Sequence, residues 1–309
     1  MIKTILITGG TGLVGKQLVK LLVQKGYKIN LLVRKSGEKI EIPGVKTFIW
    51  DIYKREIEKE CIQDADAIIH LAGEEIAGKR WTDERKRQII ESRTASIRMI
   101  YDLMLKNKNQ VNHIVSASAI GYYGSRGNEL LTELSLPSKD FLSETCVAWE
   151  EAVDEGEKLG LRIVKLRTGI ILDLKGGALP QMAKPVKFGL GVILGSGSQW
   201  LSWIHVKDVL QIYTYALENE NIKGVYNMVA PKPANFDTMT HAISKGMKKS
   251  SLFFHVPSLF LKVALGEMSM MVLESTRVSS DKLEKAGYIF EYPNLQEALN
   301  EIYNNRESD

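Results

Sequence analysis

Three glycines spaced by three, Gly9, Gly12 and Gly15, follow the apolar run Ile5–Ile7 and precede Leu18, Leu21 and Leu22 at helical spacing. The pattern predicts a buried strand, a tight turn and a helix. Such a turn has no side chains where a phosphate must come close. The helix start offers N–H groups and the positive end of the helix dipole to an anion. Gly9 then serves the turn, Gly12 the approach of a diphosphate, and Gly15 close packing of helix on strand. Thr11, Leu13 and Val14 complete the loop around such a ligand. A second strand one helix later, Lys28–Val33, supplies the βαβ setting that the motif needs.

That second strand runs into Arg34 and Lys35, with no acidic residue beside them. An acid at this place selects NAD through the ribose hydroxyls, whereas a cation accommodates a 2′-phosphate, so the pair favours NADP. An apolar strand over 65–71 closes on Ala72 and Gly73, small residues against which a cofactor can lie. His70 inside it reads as a packed residue. Arg93 falls on the buried face of a helix, four residues from both Ile89 and Ile97. It either contacts a cofactor or substrate, or snorkels to the rim. Strand His113–Ser116 runs into Ala117–Gly124, which places Ser118, Tyr122 and Tyr123 where hydroxyl chemistry is possible. Cys146 lies on an apolar stripe with Leu142, Trp149 and Val153 and reads as a core thiol.

The elements that must hold these groups alternate between strand and helix, which predicts an α/β, doubly wound parallel sheet. Helices are expected over 14–25, 82–107 and 141–159, with Thr82 or Asp83 capping the second. Further strands are expected at 46–50 and 162–167, the first followed by Asp51 and then a polar helical stretch. Glycines and prolines crowd 176–197, so a substrate-side region is expected to begin at residue 173. Residues 1–172 form the nucleotide-binding domain, its sheet completed from around 200–230. A mostly helical C-terminal domain occupies about 250–300, in which Leu252–Leu265 reads as a buried loop and helix.

The chain has 309 residues and a net charge of +4. That balance argues against a nucleic-acid partner. The basic cluster around Arg85–Arg87 reads as the solvated start of a helix. The two cysteines lack metal-ligand spacing, no metal site is expected, and a reducing cytoplasm fits. No apolar run is long enough to span a bilayer, and no membrane partner is expected.

The blocks TGGTGLVG at 8–15, LAGE at 71–74, KRWT at 79–82, SASAIGYYG at 116–124, LRTG at 166–169, WIH at 203–205 and LGEM at 265–268 together resemble one family. It is the atypical "epimerase family" branch of the extended short-chain dehydrogenase/reductases, related to nucleoside-diphosphate-sugar epimerases. The resemblance covers nearly the whole chain. It implies a Rossmann domain holding NADP, with the glycines at the diphosphate, Arg34 at the 2′-phosphate, and Leu71, Ala72 and Gly73 along the adenosine and ribose. Asp51, Arg93 and Ile171 are the further cofactor candidates, and homodimers are common in the superfamily. One departure stands out. The superfamily's working pair is a tyrosine and a lysine four residues apart on one helix. By register against Trp149-Glu150, Leu142 and Cys146 stand there. Tyr122, Tyr123, Ser118 and Arg93 are the groups left for the chemistry, with Ser118 and Tyr123 taken as the catalytic candidates. The expected function is an NADP-dependent oxidoreductase or epimerase-like enzyme acting on a sugar nucleotide or carbonyl compound. The alternative is an NADP-binding regulatory protein without classical turnover.

Overall fold

The computed structural model describes residues 2–34 and 42–304; Lys35 lies outside the described residues. Eight strands form the main sheet: β1 (Thr4–Thr8), β2 (Lys28–Arg34), β3 (Val45–Asp51), β4 (Glu56–Ile57), β5 (Ala67–His70), β6 (His113–Ala119), β7 (Arg162–Thr168) and β8 (Gly224–Met228). Their order is β8-β7-β6-β5-β1-β2-β3-β4. All neighbours pair in parallel except β3 and β4, which are antiparallel. The chain builds outward from β1 to β3, then returns to β5 on the other side of β1. The order therefore reverses between β1 and β5, and such a reversal opens a crevice at the carboxyl ends of the strands.

The helices that matter here are α1 (Leu13–Gln24), α2 (Asp83–Lys106), α3 (Phe141–Asp154), α4 (Ala178–Val186), α5 (Val206–Glu218) and α6 (Phe236–Gly246). Ile5 and Ile7 of β1 share a core with Leu18 and Leu22 of α1 and Val209 and Ile212 of α5. Leu6 points the other way, into a core with Ile97 and Ile100 of α2 and Trp149 and Val153 of α3. Both faces of the sheet are covered, which is why β1 is a continuous apolar run rather than an alternating one. Thr82 caps α2, its hydroxyl accepting the Arg85 N–H at 3.2 Å. Asp140 caps α3 through the Ser143 N–H at 3.0 Å. α3 gives way to a 3₁₀ turn at Glu155–Leu159, so the helix expected to 159 tightens in its last turn.

Three expectations are corrected. The stretch after Asp51 is not helical; it forms β4 and a single 3₁₀ turn at Lys59–Ile62. The Asp51 carboxylate accepts the N–H groups of Tyr53 and Lys54, at 3.0 and 3.1 Å, and turns the chain back on itself. The tail is less helical than expected. Leu252–Val256 is a strand, paired in parallel with Leu190–Leu194. Nor is Leu252–Leu265 buried: only Leu261 of the helix Ser258–Leu265 is buried, and the strand's outer side chains are exposed. A third core joins α4, α6 and the helix Leu295–Asn304 through Leu179, Met239 and Leu299. Ile170–Leu172 pairs with Trp203–His205, tying this second region to the end of β7. Among the described residues, no helix is long and apolar enough to cross a membrane.

Candidate functional site

The glycine turn sits at the β1–β5 reversal. Gly9 has φ +68°, and a Cβ there would stand 2.6 Å from the Leu71 carbonyl oxygen, so β1 and β5 touch backbone to backbone. A Cβ at Gly15 would stand 2.2 Å from the Gly9 oxygen. At Gly12, by contrast, a Cβ would meet only the Gly9 oxygen, at 3.3 Å. The turn is therefore packed solid toward the sheet and open at Gly12. α1 begins at the next residue, Leu13, with no side-chain cap and no acid in its first turn. Thr11, Leu13 and Val14 are half-buried around this opening.

Thr8 fixes the floor. Its hydroxyl oxygen accepts the Leu71 and Ala72 N–H groups, both at 3.1 Å, so its own proton goes to His70 Nδ1 at 2.9 Å. His70 then carries its proton on Nε2, facing the Ser96 hydroxyl at 3.3 Å. Ser96 in turn donates to the Arg93 carbonyl at 2.9 Å. Burial pushes the His70 pKa down to about 4. His70 is a neutral link between fingerprint and α2, the packed role expected of it.

Arg93 is buried, and burial lowers its pKa to about 10. It does not snorkel. Nη1 donates to the Ile89 carbonyl at 2.9 Å and Nη2 to the Glu74 carbonyl at 3.1 Å. Nε is buried without a hydrogen-bond partner among the described residues, and the guanidinium lies 5.0 Å from the Trp149 ring centroid. The arginine is thus wedged between α2, α3 and the Leu71–Glu74 segment. Beside it, the Glu74 carboxylate bridges two cations, Arg34 Nη1 at 3.2 Å and Arg85 Nη1 at 3.0 Å. Arg34 is otherwise exposed at the end of β2. Arg85 is buried, not part of a solvated helix start as the sequence suggested.

On α3, Leu142 is half-buried and Cys146 is buried. Burial pushes the Cys146 thiol up to about 12, so it stays protonated. A Cβ at Gly121 would stand 3.4 Å from Leu142 Cβ and 3.8 Å from Cys146 Sγ. The 3₁₀ turn Ile120–Tyr123 therefore rests directly on the two departures from the tyrosine–lysine pair. Ser118 and Tyr123 are brought together indirectly. The Ser118 hydroxyl donates to Glu150 Oε1 at 2.7 Å. Glu150 accepts Arg167 Nε and Nη2, both at 2.8 Å. Arg167 Nη1 donates to the Tyr123 hydroxyl at 3.0 Å, and Tyr123 donates to Asn227 Oδ1 at 2.6 Å. All five residues are buried. Burial pushes the Tyr123 phenol up to about 12. Tyr122 differs: it is half-exposed, with the Arg167 Cζ 3.4 Å from its ring centroid.

Asp51 is engaged in its own turn, and Ile171 is half-buried in the strand after β7. Three ionisable residues escaped the sequence reading. Glu150 and Arg167 complete the buried network; Glu150, four residues after Cys146 on an apolar stripe, was a readable signal. Glu274 gave none. It is half-buried, and burial, then the nearby Asp140 carboxylate, raise its pKa to about 7. Its segment crosses the start of α3, where Met268 and Met270 pack with Leu142 and Phe141.

Residues 5–228 match the model of the NAD dependent epimerase/dehydratase family. The chain belongs to this family. Residues 256–302 match a domain of unknown function. "Epimerase family protein SSP1921" of Staphylococcus saprophyticus is 37% identical, covering 97% of this chain and 99% of its own. "Epimerase family protein YfhF" of Bacillus subtilis is 36% identical, covering 98% and 99%. The human epimerase family protein SDR39U1, solved with NADPH, superposes with a TM-score of 0.85 at 29% identity over 98% of this chain and 99% of that one. UDP-glucose 4-epimerase from Thermotoga maritima shares the fold, with a TM-score of 0.78 at 16% identity. The chain is thus an atypical, extended-type epimerase-family protein with a Rossmann-like sheet.

Proposed function

We propose that this protein is an NADP(H)-dependent oxidoreductase or epimerase-like enzyme whose proton-handling groups differ from the tyrosine–lysine pair. The observation that carries the reading is the turn at the strand reversal, packed at Gly9 and Gly15 but open at Gly12 beneath an uncapped helix. Gly9, Thr11, Gly12, Leu13, Val14 and Gly15 would hold the diphosphate. Arg34 and Lys35 would meet the 2′-phosphate, and the NADPH-bound human relative supports that choice. Asp51, Leu71, Ala72 and Gly73 would line the adenosine side, and Arg93 and Ile171 the rest of the cofactor. Residues 1–172 form the cofactor domain and 173–309 the substrate side. Two free, buried cysteines support a reducing compartment such as the cytoplasm.

The bound cofactor would supply hydride chemistry. The chain's part is to bind a sugar nucleotide or another carbonyl compound and exchange a proton with it. Ser118 and Tyr123 serve as positioning residues, because their hydroxyls are already engaged inside the buried network. That network holds Arg167 against Tyr122, the tyrosine that keeps exposed surface. Tyr122 and the near-neutral Glu274 are the candidate proton carriers. The test is stopped-flow absorbance at the nicotinamide band with a panel of sugar nucleotides and carbonyl compounds. Turnover lost in Tyr122→Phe or Glu274→Gln supports the assignment; the absence of both a redox change and an epimerised product with every compound sinks the enzymatic reading.

Leu142 and Cys146 favour a second reading, an NADP(H)-binding regulatory protein. Tight NADPH binding without turnover, with a partner recruited or released by the cofactor, would decide for it.

A further inference from the structure

The strand Leu252–Val256 and the helix after it carry an apolar surface that no element covers among the described residues. In the two-stranded parallel ribbon, Leu190 aligns with Leu252 and Val192 with Phe254. Aligned residues of a parallel pair project to the same face. The other face holds Phe253, stacked on His241 of α6 at 3.7 Å, and the buried Ile193. The outer face therefore carries Leu190, Leu252 and Phe254, with Leu252 78% exposed. The helix Ser258–Leu265 anchors itself by Leu261 alone. Leu259, Phe260 and Val263 fall within an arc of about 100° on the side away from Leu261. They are 72%, 66% and 78% exposed.

The two stretches that build this surface carry lysine as their sole charged residue type, and the acids that flank them, Asp237 and Glu267, are paired with His241 and Lys86. Residues 174–205 and 238–266 contain seven lysines and no arginine, aspartate or glutamate. Lys184, Lys187, Lys248, Lys249 and Lys262 are exposed, and none forms an ion pair with a described residue. The rest of the chain is net acidic, since the whole carries only +4. Exposed leucine and phenylalanine framed by unpaired lysines match the chemistry of an anionic lipid interface, where apolar side chains enter the acyl boundary and lysines meet the headgroups. A second copy would set two lysine-rich faces against each other, which like-charge repulsion opposes.

We propose that Leu252–Val256 and Ser258–Leu265 dock this protein on the surface of an anionic bilayer, without spanning it. The occupant is the lipid surface itself, recognised by apolar insertion and lysine–phosphate contact. The 309-residue chain should float with vesicles of phosphatidylcholine plus phosphatidylglycerol and not with phosphatidylcholine alone. Raising the salt should weaken the binding. Phe260→Asp, or Lys248→Glu with Lys249→Glu, should lower the bound fraction about tenfold or more. These side chains are exposed, so an unchanged thermal midpoint checks the fold of each variant. Failure to float with anionic vesicles at low salt overturns the proposal, as does flotation that both variants leave unchanged. A wild-type dimer that Phe260→Asp converts to monomer in sedimentation would give the surface to a second copy instead. Flotation needs no cofactor, so its outcome is independent of the enzymatic reading.

Discussion

The guanidinium of Arg93 lies flat against the backbone of Gly73, where a Cβ would stand 2.9 Å from Cζ and 3.1 Å from Nη2. The arginine cannot simply swing away, because Nη1 and Nη2 are bonded to the Ile89 and Glu74 carbonyls inside the protein. Gly73→Ala should therefore cost about 1–3 kcal/mol, the usual range for overpacking a tight site. It should also weaken NADPH binding. Denaturant unfolding and a fluorescence titration measure the two effects. A variant as stable as wild type would mean that the guanidinium has room the packing does not suggest.

The Arg34–Glu74 pair offers a test of cofactor choice. The Glu74 carboxylate stands 3.2 Å from Arg34, at the end of β2 where a 2′-phosphate would arrive. The phosphate would have to share Arg34 with an existing anion. Arg34→Asp should weaken NADPH binding much more than NADH binding. Glu74→Gln removes the competing charge and should strengthen NADPH binding a few-fold with little change for NADH. Titrating both dinucleotides into both variants checks this. Parallel changes in the two affinities would remove Arg34 from the 2′-phosphate.

Glu150 and Arg167 form a two-hydrogen-bond ion pair with side chains 8% and 4% exposed. Glu150→Gln leaves the arginine buried without its counter-charge and should destabilise by about 3–5 kcal/mol. Tyr123→Phe leaves Asn227 Oδ1 without its donor and should cost about 1–3 kcal/mol. If Tyr123 only positions, the folded Tyr123→Phe enzyme keeps most of its kcat, whereas Tyr122→Phe loses it at unchanged stability. The reverse pattern would make Tyr123 the proton carrier.

Much of this arrangement is local, and local patterns are readable. The glycine spacing, the apolar runs and the Thr82 cap each determine their own geometry through neighbours in sequence. The burial of Arg93 could be read from Ile89 and Ile97 on the same helical face. What lay beyond the sequence depends on distant partners. Arg85 is buried because Glu74 reaches it across a loop, which the dense charge around Arg85 concealed. Asp51 bonds to the turn that follows it rather than extending a helix. Leu252–Leu265 reads as core because it is apolar. Composition records that a segment avoids water, not whether another element arrives to cover it.

Glu274 gives the stability of the protein a pH signature. Burial, reinforced by Asp140, raises its pKa from 4.5 to about 7. Between these values the native state binds more protons here than the unfolded chain does, so this group makes stability fall as pH rises. The effect is absent below pH 4.5 and complete above about pH 7. A full conversion would give about 3 kcal/mol. The side chain is partly open to solvent, and screening brings the expectation to roughly 1–2 kcal/mol. His70 works in the opposite direction, because its lowered pKa of about 4 makes stability rise with pH toward 6.5. The two slopes overlap, so the wild-type curve alone would hide both. The difference between Glu274→Gln and wild type isolates the carboxyl: near zero at pH 4.5, growing in favour of the variant, and level above pH 7. Urea unfolding of both proteins across this range measures it. A flat difference would return Glu274 to an ordinary surface carboxylate and remove it from the candidate proton carriers.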